Sequence, residues 1–266
     1  MPTAEPPVTL PDFAAWKAQG RKIAVLTAYD YTMAGLLDSA GADCLLVGDS
    51  LGTVVQGHDT TLRVTLDQMV YHAEMVARAT RRALVVADLP FLSYQASIEG
   101  AILSAGRFLK ETQCQAVKLE GGRTMAATIR AVVDAGIPVM GHVGLTPQSV
   151  RRFGGHKVQR DAEAIAADAR AVAESGAFAV VLECVPAAVA ARVTAEVPIP
   201  TIGIGAGPDC DAQVLVWPDM AGLNGGRVPR FVKRYADLRG ELLRAAREYA
   251  EEVRGGVFPG PEHSFE

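Results

Sequence analysis

Eight short apolar runs, separated by longer stretches of helical periodicity, constrain this chain more than any other feature. The runs span residues 23–29, 44–48, 84–89, 116–119, 138–143, 177–183, 201–204 and 214–217. They read as continuous apolar segments without polar alternation, which is the pattern of parallel strands covered on both faces. The clearest helical stretches between them are 66–79, 98–113, 125–135 and 161–175. Several helices run into a small-residue turn before the next strand, as in Ala40-Gly41-Ala42, Ala135-Gly136-Ile137-Pro138 and Ser175-Gly176-Ala177. Glycine there supplies the left-handed residue that ends a helix.

About eight such units in 266 residues predict an α/β fold of the (β/α)₈ TIM-barrel type, with a doubly wound open sheet as the alternative. No Pro/Gly/Ser-rich linker divides the chain, so a single catalytic domain over residues 1–266 is expected. Residues 13–19 read as an extra N-terminal helix capping the bottom of the barrel, and residues 230–254 as a long polar-rich helix before a Gly/Pro tail.

The net charge of -4, with acids and bases interspersed, lacks the basic footprint of a nucleic-acid binder. It offers no long-range steering to an anionic substrate either, so an anion site has to be built locally. The first ten residues lack the charged and apolar regions of a secretory signal, and no apolar run is long enough to span a bilayer. The four cysteines, Cys44, Cys114, Cys184 and Cys210, are scattered. Reduced, mostly buried thiols in a cytoplasmic protein are expected, with no zinc or disulfide framework.

Charge is placed less evenly along the runs than along the chain. Five consecutive runs end in ionisable side chains: Asp49 after Val47-Gly48, then Asp88, then Lys118 and Glu120, then His142, then Glu183. A lone Asp49 or Asp88 would read as the N-cap of the following helix. Five in succession do not, and Lys118 and His142 are not capping types. In a TIM barrel the C-terminal strand ends carry the active site.

Four carboxylates around one barrel mouth repel one another unless a cation or protons intervene. Oxygen ligands suit a hard cation. Mg²⁺ commonly takes one or two carboxylates and leaves room for substrate oxygens. Zinc is disfavoured because only His142 offers nitrogen. His142 reads equally as a hydrogen-bonded core histidine or a substrate contact.

Lys118 and Glu120 lie two apart on a strand and share a face. Apolar Leu119 suits the helix layer, which turns the pair inward, as a counter-charge for an anionic substrate or as a plain buried ion pair. The glycines from Gly203 to Gly207 could cradle a phosphate, but close packing or contact with a bulky substrate fits them better. The long polar segment 51–65 reads as a lid or as a surface excursion.

The chain resembles the ketopantoate hydroxymethyltransferases, of the phosphoenolpyruvate/pyruvate barrel superfamily. The resemblance rests on Leu26-Thr27-Ala28-Tyr29-Asp30, Val47-Gly48-Asp49-Ser50-Leu51-Gly52, Gln56-Gly57-His58-Asp59-Thr60-Thr61-Leu62 and Ala87-Asp88-Leu89-Pro90-Phe91. It continues through Val117-Lys118-Leu119-Glu120-Gly121-Gly122, Gly141-His142-Val143-Gly144-Leu145-Thr146-Pro147-Gln148-Ser149, Leu182-Glu183-Cys184-Val185-Pro186 and Ile202-Gly203-Ile204-Gly205-Ala206-Gly207 to the tail Glu262-His263-Ser264-Phe265. The departures are Arg63 in place of Pro, Arg160 in place of Gly and Ala212 in place of Gly, all away from the residues given chemistry.

What the resemblance implies is one-carbon transfer from 5,10-methylenetetrahydrofolate to 3-methyl-2-oxobutanoate, giving 2-dehydropantoate on the route to pantothenate and coenzyme A. It further implies dependence on Mg²⁺ and a homodecamer acting on small molecules, with neither nucleic acid nor membrane as partner. The metal would sit on Asp49, Asp88 and Glu120. Asp49, Ser50, Asp88, Lys118 and His142 would contact substrate, and Glu183 would be the catalytic base. A 2-oxo-acid lyase or mutase of the same superfamily is the alternative, although the chain lacks a Lys-Lys-Cys-Gly-His loop. A non-catalytic metal-dependent oxo-acid binder is a further one.

Overall fold

In the computed structural model, which describes residues 6–155, 157–226 and 228–265, each of the eight apolar runs forms a strand. They are β1 (Ile23–Thr27), β2 (Cys44–Val47), β3 (Leu84–Asp88), β4 (Ala116–Glu120), β5 (Val139–Gly144), β6 (Ala179–Glu183), β7 (Thr201–Ile204) and β8 (Ala212–Leu215). All neighbours pair in parallel, and β1 against β8 closes the ring in sequence order.

The helices are α1 (Leu10–Gln19), α2 (Tyr31–Ser39), α3 (Leu51–Val54), α4 (Leu66–Ala79), α5 (Ile98–Glu111), α6 (Ala126–Asp134), α7 (Val150–Phe153), α8 (Ala162–Glu174), α9 (Ala187–Glu196), α10 (Trp217–Met220) and α11 (Leu238–Gly255). Capping fixes several of their starts. Asp30, Ser97 and Asp161 each accept a backbone N–H three residues on, and Thr65 and Gln68 form a reciprocal capping box on α4. Among the described residues no helix is long and apolar enough to cross a membrane.

Several boundaries shift by one to three residues from the sequence reading, and two differences have a clear physical reason. β8 begins two residues before its apolar run, at Ala212, because Ala212 and Gln213 are paired on both sides, to Ile23 and Ala24 and to Ile202 and Gly203. Pairing, not hydrophobicity, defines a strand that closes a barrel. The stretch 230–254 is helical only from Leu238, where Asp237 caps the helix by accepting from Gly240 N. The chain divides into two compact units after Val216. The first contains the barrel, and the second contains α10 and α11.

Strand residues two apart share a face, and here the inward set is Ile23 and Val25, Cys44 and Leu46, Leu84 and Val86, Ala116, Met140, Ala179 and Val181, Ile202, Ala212 and Val214. These fill the lower barrel as one cluster. Phe13 of α1, with no exposed surface, joins it from below and meets Phe178 edge-on at 5.7 Å between ring centroids. The N-terminal helix therefore closes the N-terminal end, which leaves the other end for chemistry.

The segment 51–65 is not an open loop. It holds α3 and a single 3₁₀ turn over Thr61–Arg63, and His58 N donates back to Gly52 O. The Gly203–Gly207 segment is closely packed, since a Cβ on Gly203 would come 3.0 Å from Cys210 Sγ. Cys44, Cys114 and Cys210 are buried, Cys184 is half-buried, and all four are free thiols.

Candidate active site

Continuing the inward set by one or two further residues along each strand gives Asp88 on β3, Lys118 and Glu120 on β4, His142 on β5 and Glu183 on β6. The ionisable side chains are thus the top layer of the same stack whose lower layers are aliphatic. On β2 the inward position at this level is Gly48, and a Cβ there would stand 2.7 Å from Ser50 Oγ. The absent side chain makes room for Ser50 and Asp88, and Asp49 follows at the turn into α3.

The groups are linked by short contacts. Asp88 Oδ2 accepts from Asp49 N at 3.0 Å, and Asp88 Oδ1 faces Lys118 Nζ at 3.0 Å. Lys118 Nζ also lies 3.3 Å from His142 Nδ1, and His142 Nε2 lies 3.1 Å from Glu183 Oε2. An ammonium has only donors to offer, so Nδ1 is the lone-pair nitrogen and Nε2 carries the proton toward Glu183. On the other flank, Tyr29 OH and Ser50 Oγ share a hydrogen bond of 2.8 Å.

Gln148, from the turn before α7, ties the carboxylates together. Its Nε2 donates to Asp49 Oδ2 at 2.9 Å and to Leu89 O at 3.0 Å, and its backbone N donates to Glu120 Oε2 at 2.9 Å. Its Oε1 accepts from Tyr94 OH at 2.7 Å and from Gln95 Nε2 at 3.0 Å.

Electrostatics follow from this burial. Asp49 is pushed up to about 7, first by desolvation and then by Asp88, while Lys118, Gln148 and Thr61 pull the other way. Glu120 is raised well above the carboxylate range by burial and by Asp49. Burial opposes the charge on Lys118, but Asp88, Glu120 and Asp49 together hold its pKa above the ordinary value, so it stays cationic. His142 is lowered by burial and by Lys118, which keeps the ring neutral. Tyr94 is raised by burial and by Glu120, and remains a phenol. Glu183 is the most open of the strand-end ion-pair groups, with 17% of its side chain exposed against 5% for Asp88 and 4% for Glu120.

Four carboxyl groups around a single ammonium leave excess negative charge, which a proton or a cation has to balance. Asp88 Oδ1 is buried and meets only the Lys118 ammonium, without an aligned hydrogen bond among the described residues, so a cation held there would share that oxygen with Lys118. Among those residues no three His, Cys, Asp or Glu side chains gather into a ready metal cage. Such a donor set fits a hard cation that takes one or two carboxylates and completes its shell with substrate oxygens and water.

The structure brings together every residue singled out in the sequence: Asp49, Ser50, Asp88, Lys118, Glu120, His142 and Glu183. It adds Gln148, Tyr94, Gln95 and Tyr29. Gln148 lies inside a quoted motif, yet an uncharged amide gave no signal of bridging two carboxylates. Cys184, beside Glu183, has a left-handed backbone with φ 47°. It turns the chain so that Glu183 O accepts from Leu145 N at 2.8 Å.

Comparison with known proteins identifies the family. The family model described as ketopantoate hydroxymethyltransferase matches residues 7–261. A 3-methyl-2-oxobutanoate hydroxymethyltransferase of Moorella thermoacetica is 56% identical over 262 residues, covering 97% of each chain. One of Saccharopolyspora erythraea is 59% identical, covering 94% of this chain and 86% of that one. Among solved structures, a phosphonopyruvate hydrolase in complex with oxalate and Mg²⁺ superposes with a TM-score of 0.62 at 12% identity, covering 96% of this chain and 92% of that one. A 2,3-dimethylmalate lyase superposes with a TM-score of 0.60 at 19% identity, covering 97% and 91%. These two share the barrel fold with the chain.

Proposed function

The chain belongs to the ketopantoate hydroxymethyltransferase family, and from that membership we propose how its barrel mouth performs the reaction. The protein is an enzyme that transfers a hydroxymethyl group to 3-methyl-2-oxobutanoate, giving 2-dehydropantoate for pantothenate synthesis. The observation that carries the site reading is the inward ring of ionisable side chains, with several carboxyl groups around one lysine.

When bound, Mg²⁺ supplies Lewis-acid stabilisation of negative charge on the oxo acid, and Asp49 and Asp88 would hold it, with Glu120 behind them directly or through water. Lys118 and Ser50 bind the substrate's carboxylate and keto oxygens. Lys118 is held for this between Asp88 and His142, and its neighbours keep it protonated.

Glu183 takes the proton from C3 of the oxo acid. His142 Nε2–H lies against Oε2 of Glu183, which leaves Oε1 to receive the proton. Burial and Lys118 keep His142 neutral, so it orients the base without neutralising it. C3 then bonds to the methylene carbon of 5,10-methylenetetrahydrofolate, water supplies the hydroxyl oxygen, and tetrahydrofolate leaves. The same resemblance gives a cytoplasmic homodecamer. Exposed Tyr71 and Leu103, each 66% accessible, support an assembling surface.

The test is 2-dehydropantoate formation from 3-methyl-2-oxobutanoate and methylenetetrahydrofolate with Mg²⁺. Activity should vanish with EDTA, and Glu183→Gln should lower kcat by about 10²- to 10⁴-fold, the range of a lost general base. Full activity in Glu183→Gln would move the base elsewhere. Turnover of the oxo acid with no folate donor present would instead indicate a lyase of the same barrel type.

A further inference from the structure

The connection from β3 to α5 is folded at some conformational cost, and what it carries inward is a tyrosine. Ser93 donates to Pro90 O from its backbone N at 3.1 Å and from its hydroxyl at 2.7 Å. Leu92 within this turn has φ 66°, a left-handed backbone that leucine rarely adopts, and its side chain lies on the surface. The turn brings the chain back toward the barrel, and Tyr94 is only 1% exposed.

β3 ends at Asp88, and Leu89 N still donates to Lys118 O at 2.8 Å. Further along β4, Glu120 meets the Tyr94 hydroxyl instead of a strand, with its N and its O both at 3.0 Å. The hydroxyl also stands 2.7 Å from Gln148 Oε1. It has one proton to give. Glu120 N–H already fills one of its lone pairs, and the shorter contact takes the proton, so it goes to Gln148. The amide in turn donates from Nε2 to Asp49 Oδ2 and to Leu89 O. From Glu120 N–H through Tyr94 and Gln148 to Asp49 every donor points the same way, and hydrogen bonds in such a chain polarise one another.

Gln95 also donates to Gln148 Oε1, at 3.0 Å, but its own oxygen is buried without a partner among the described residues. Gln95 is therefore held less firmly than Tyr94, which is fixed by a backbone N–H whose polarity cannot reverse.

We propose that Tyr94 is a positioning residue for the metal site. It acts through Gln148, setting where the amide stands and thereby how Asp49 meets a divalent cation. This inference rests on the reading of Asp49 as a metal ligand.

The experiment titrates Mg²⁺ by calorimetry into protein saturated with 3-methyl-2-oxobutanoate, with no one-carbon donor present. The proteins are the native chain, Asp49→Asn, Tyr94→Phe, Gln148→Leu and the Tyr94→Phe/Gln148→Leu double variant. Tyr94→Phe keeps the buried ring and should weaken Mg²⁺ binding about fivefold, the net worth of one hydrogen bond. In the Gln148→Leu background the same change should cost no more than about twofold, because the route to Asp49 is already cut. A tyrosine that only supported the fold would cost the same factor in both backgrounds. Replacing Tyr94 with 4-aminophenylalanine keeps a donor and an acceptor in place, so affinity should stay within about twofold of native. That variant tests the role even where Tyr94→Phe does not fold.

Unchanged affinity in Tyr94→Phe, an equal loss in both backgrounds, or the same loss with 4-aminophenylalanine overturns the role of Tyr94. If Asp49→Asn binds Mg²⁺ as tightly as the native protein, the metal reading falls and the role of Tyr94 falls with it. If Asp49→Asn loses binding while Tyr94→Phe keeps it, the metal reading stands and only the role of Tyr94 falls.

Discussion

Gln148 shows how a neutral residue governs charged ones. It is 6% exposed and donates to Asp49 through its side chain and to Glu120 through its backbone. Tyr94 and Gln95 satisfy its acceptor, which settles which end of the amide faces the carboxylate. Gln148→Leu would keep the backbone donor to Glu120 and remove the side-chain donor to Asp49. Asp49 would then be harder still to ionise. The expected outcome is a loss in Mg²⁺ affinity of about 10- to 100-fold, as for other residues that orient metal ligands, measured by calorimetric titration with the oxo acid present.

The charged members of this site were legible in the sequence because each sits where an apolar run stops, a position where burial of charge is hard to explain otherwise. Gln148, Tyr94 and Tyr29 were not legible. Their roles come from contacts 21 to 99 residues apart along the chain, such as Tyr29 to Ser50 and Gln148 to Asp49, and no local pattern encodes them.

Elements carry the site through register. β4 and β5 pair Glu120 with His142, and β5 and β6 pair Gly144 with Glu183. Gly144 has φ 89°, and a Cβ there would collide with the carbonyl oxygen of Glu183. Gly144→Ala would therefore displace the strand end that carries the base. It should lower kcat at least about tenfold, equivalent to about 1.4 kcal/mol of barrier, in steady-state assays on protein whose circular dichroism matches the native spectrum.

Phe13 provides the opposite case. It packs into the bottom of the barrel on α1, at the far end from the ring. Phe13→Ala should destabilise by about 3–5 kcal/mol, as large-to-small changes of a buried aromatic do, with kcat of the folded fraction preserved. Urea unfolding and turnover measured on the same samples check both halves. All eight strands and the plug were legible from apolar runs and helical periodicity. The start of β8 was not, because Gln213 belongs to the strand only through its partners, and neither was the non-helical stretch before Asp237, which shares the polar composition of α11.

At the scale of the whole molecule, the carboxylate ring opposes folding, and pH should reveal it. Asp49 and Glu120 have folded pKa values above their ordinary ones, Asp49 at about 7. A raised folded pKa means the native state keeps protons that the unfolded chain has already released. The stability this contributes is complete below the ordinary carboxylate range and is lost as pH rises through the folded value. His142 is shifted downward, so its contribution has the opposite sign, present above the ordinary histidine value and lost as pH falls below it. The two oppose each other in mildly acid solution. Above about pH 6.5 the unfolded histidine is neutral, and only the carboxylates still act.

The metal-free protein should therefore become less stable between pH 6.5 and 8, by at most about 1.4 kcal/mol per pH unit for each proton retained. For a chain of this size that is a fall in Tm of roughly 3–5 °C per unit. Mg²⁺ with 3-methyl-2-oxobutanoate would replace the retained protons, so its stabilisation should grow over the same interval and flatten the slope. Asp49→Asn removes one of the groups and should flatten the slope without any metal. Scanning calorimetry of the native protein and Asp49→Asn across this interval, with and without Mg²⁺ and oxo acid, reads all of these. A metal-free Tm that rises with pH above 6.5 would mean that the ring is ionised in the folded protein, and that Lys118 and the hydrogen bonds of Gln148 balance its charge without a cation.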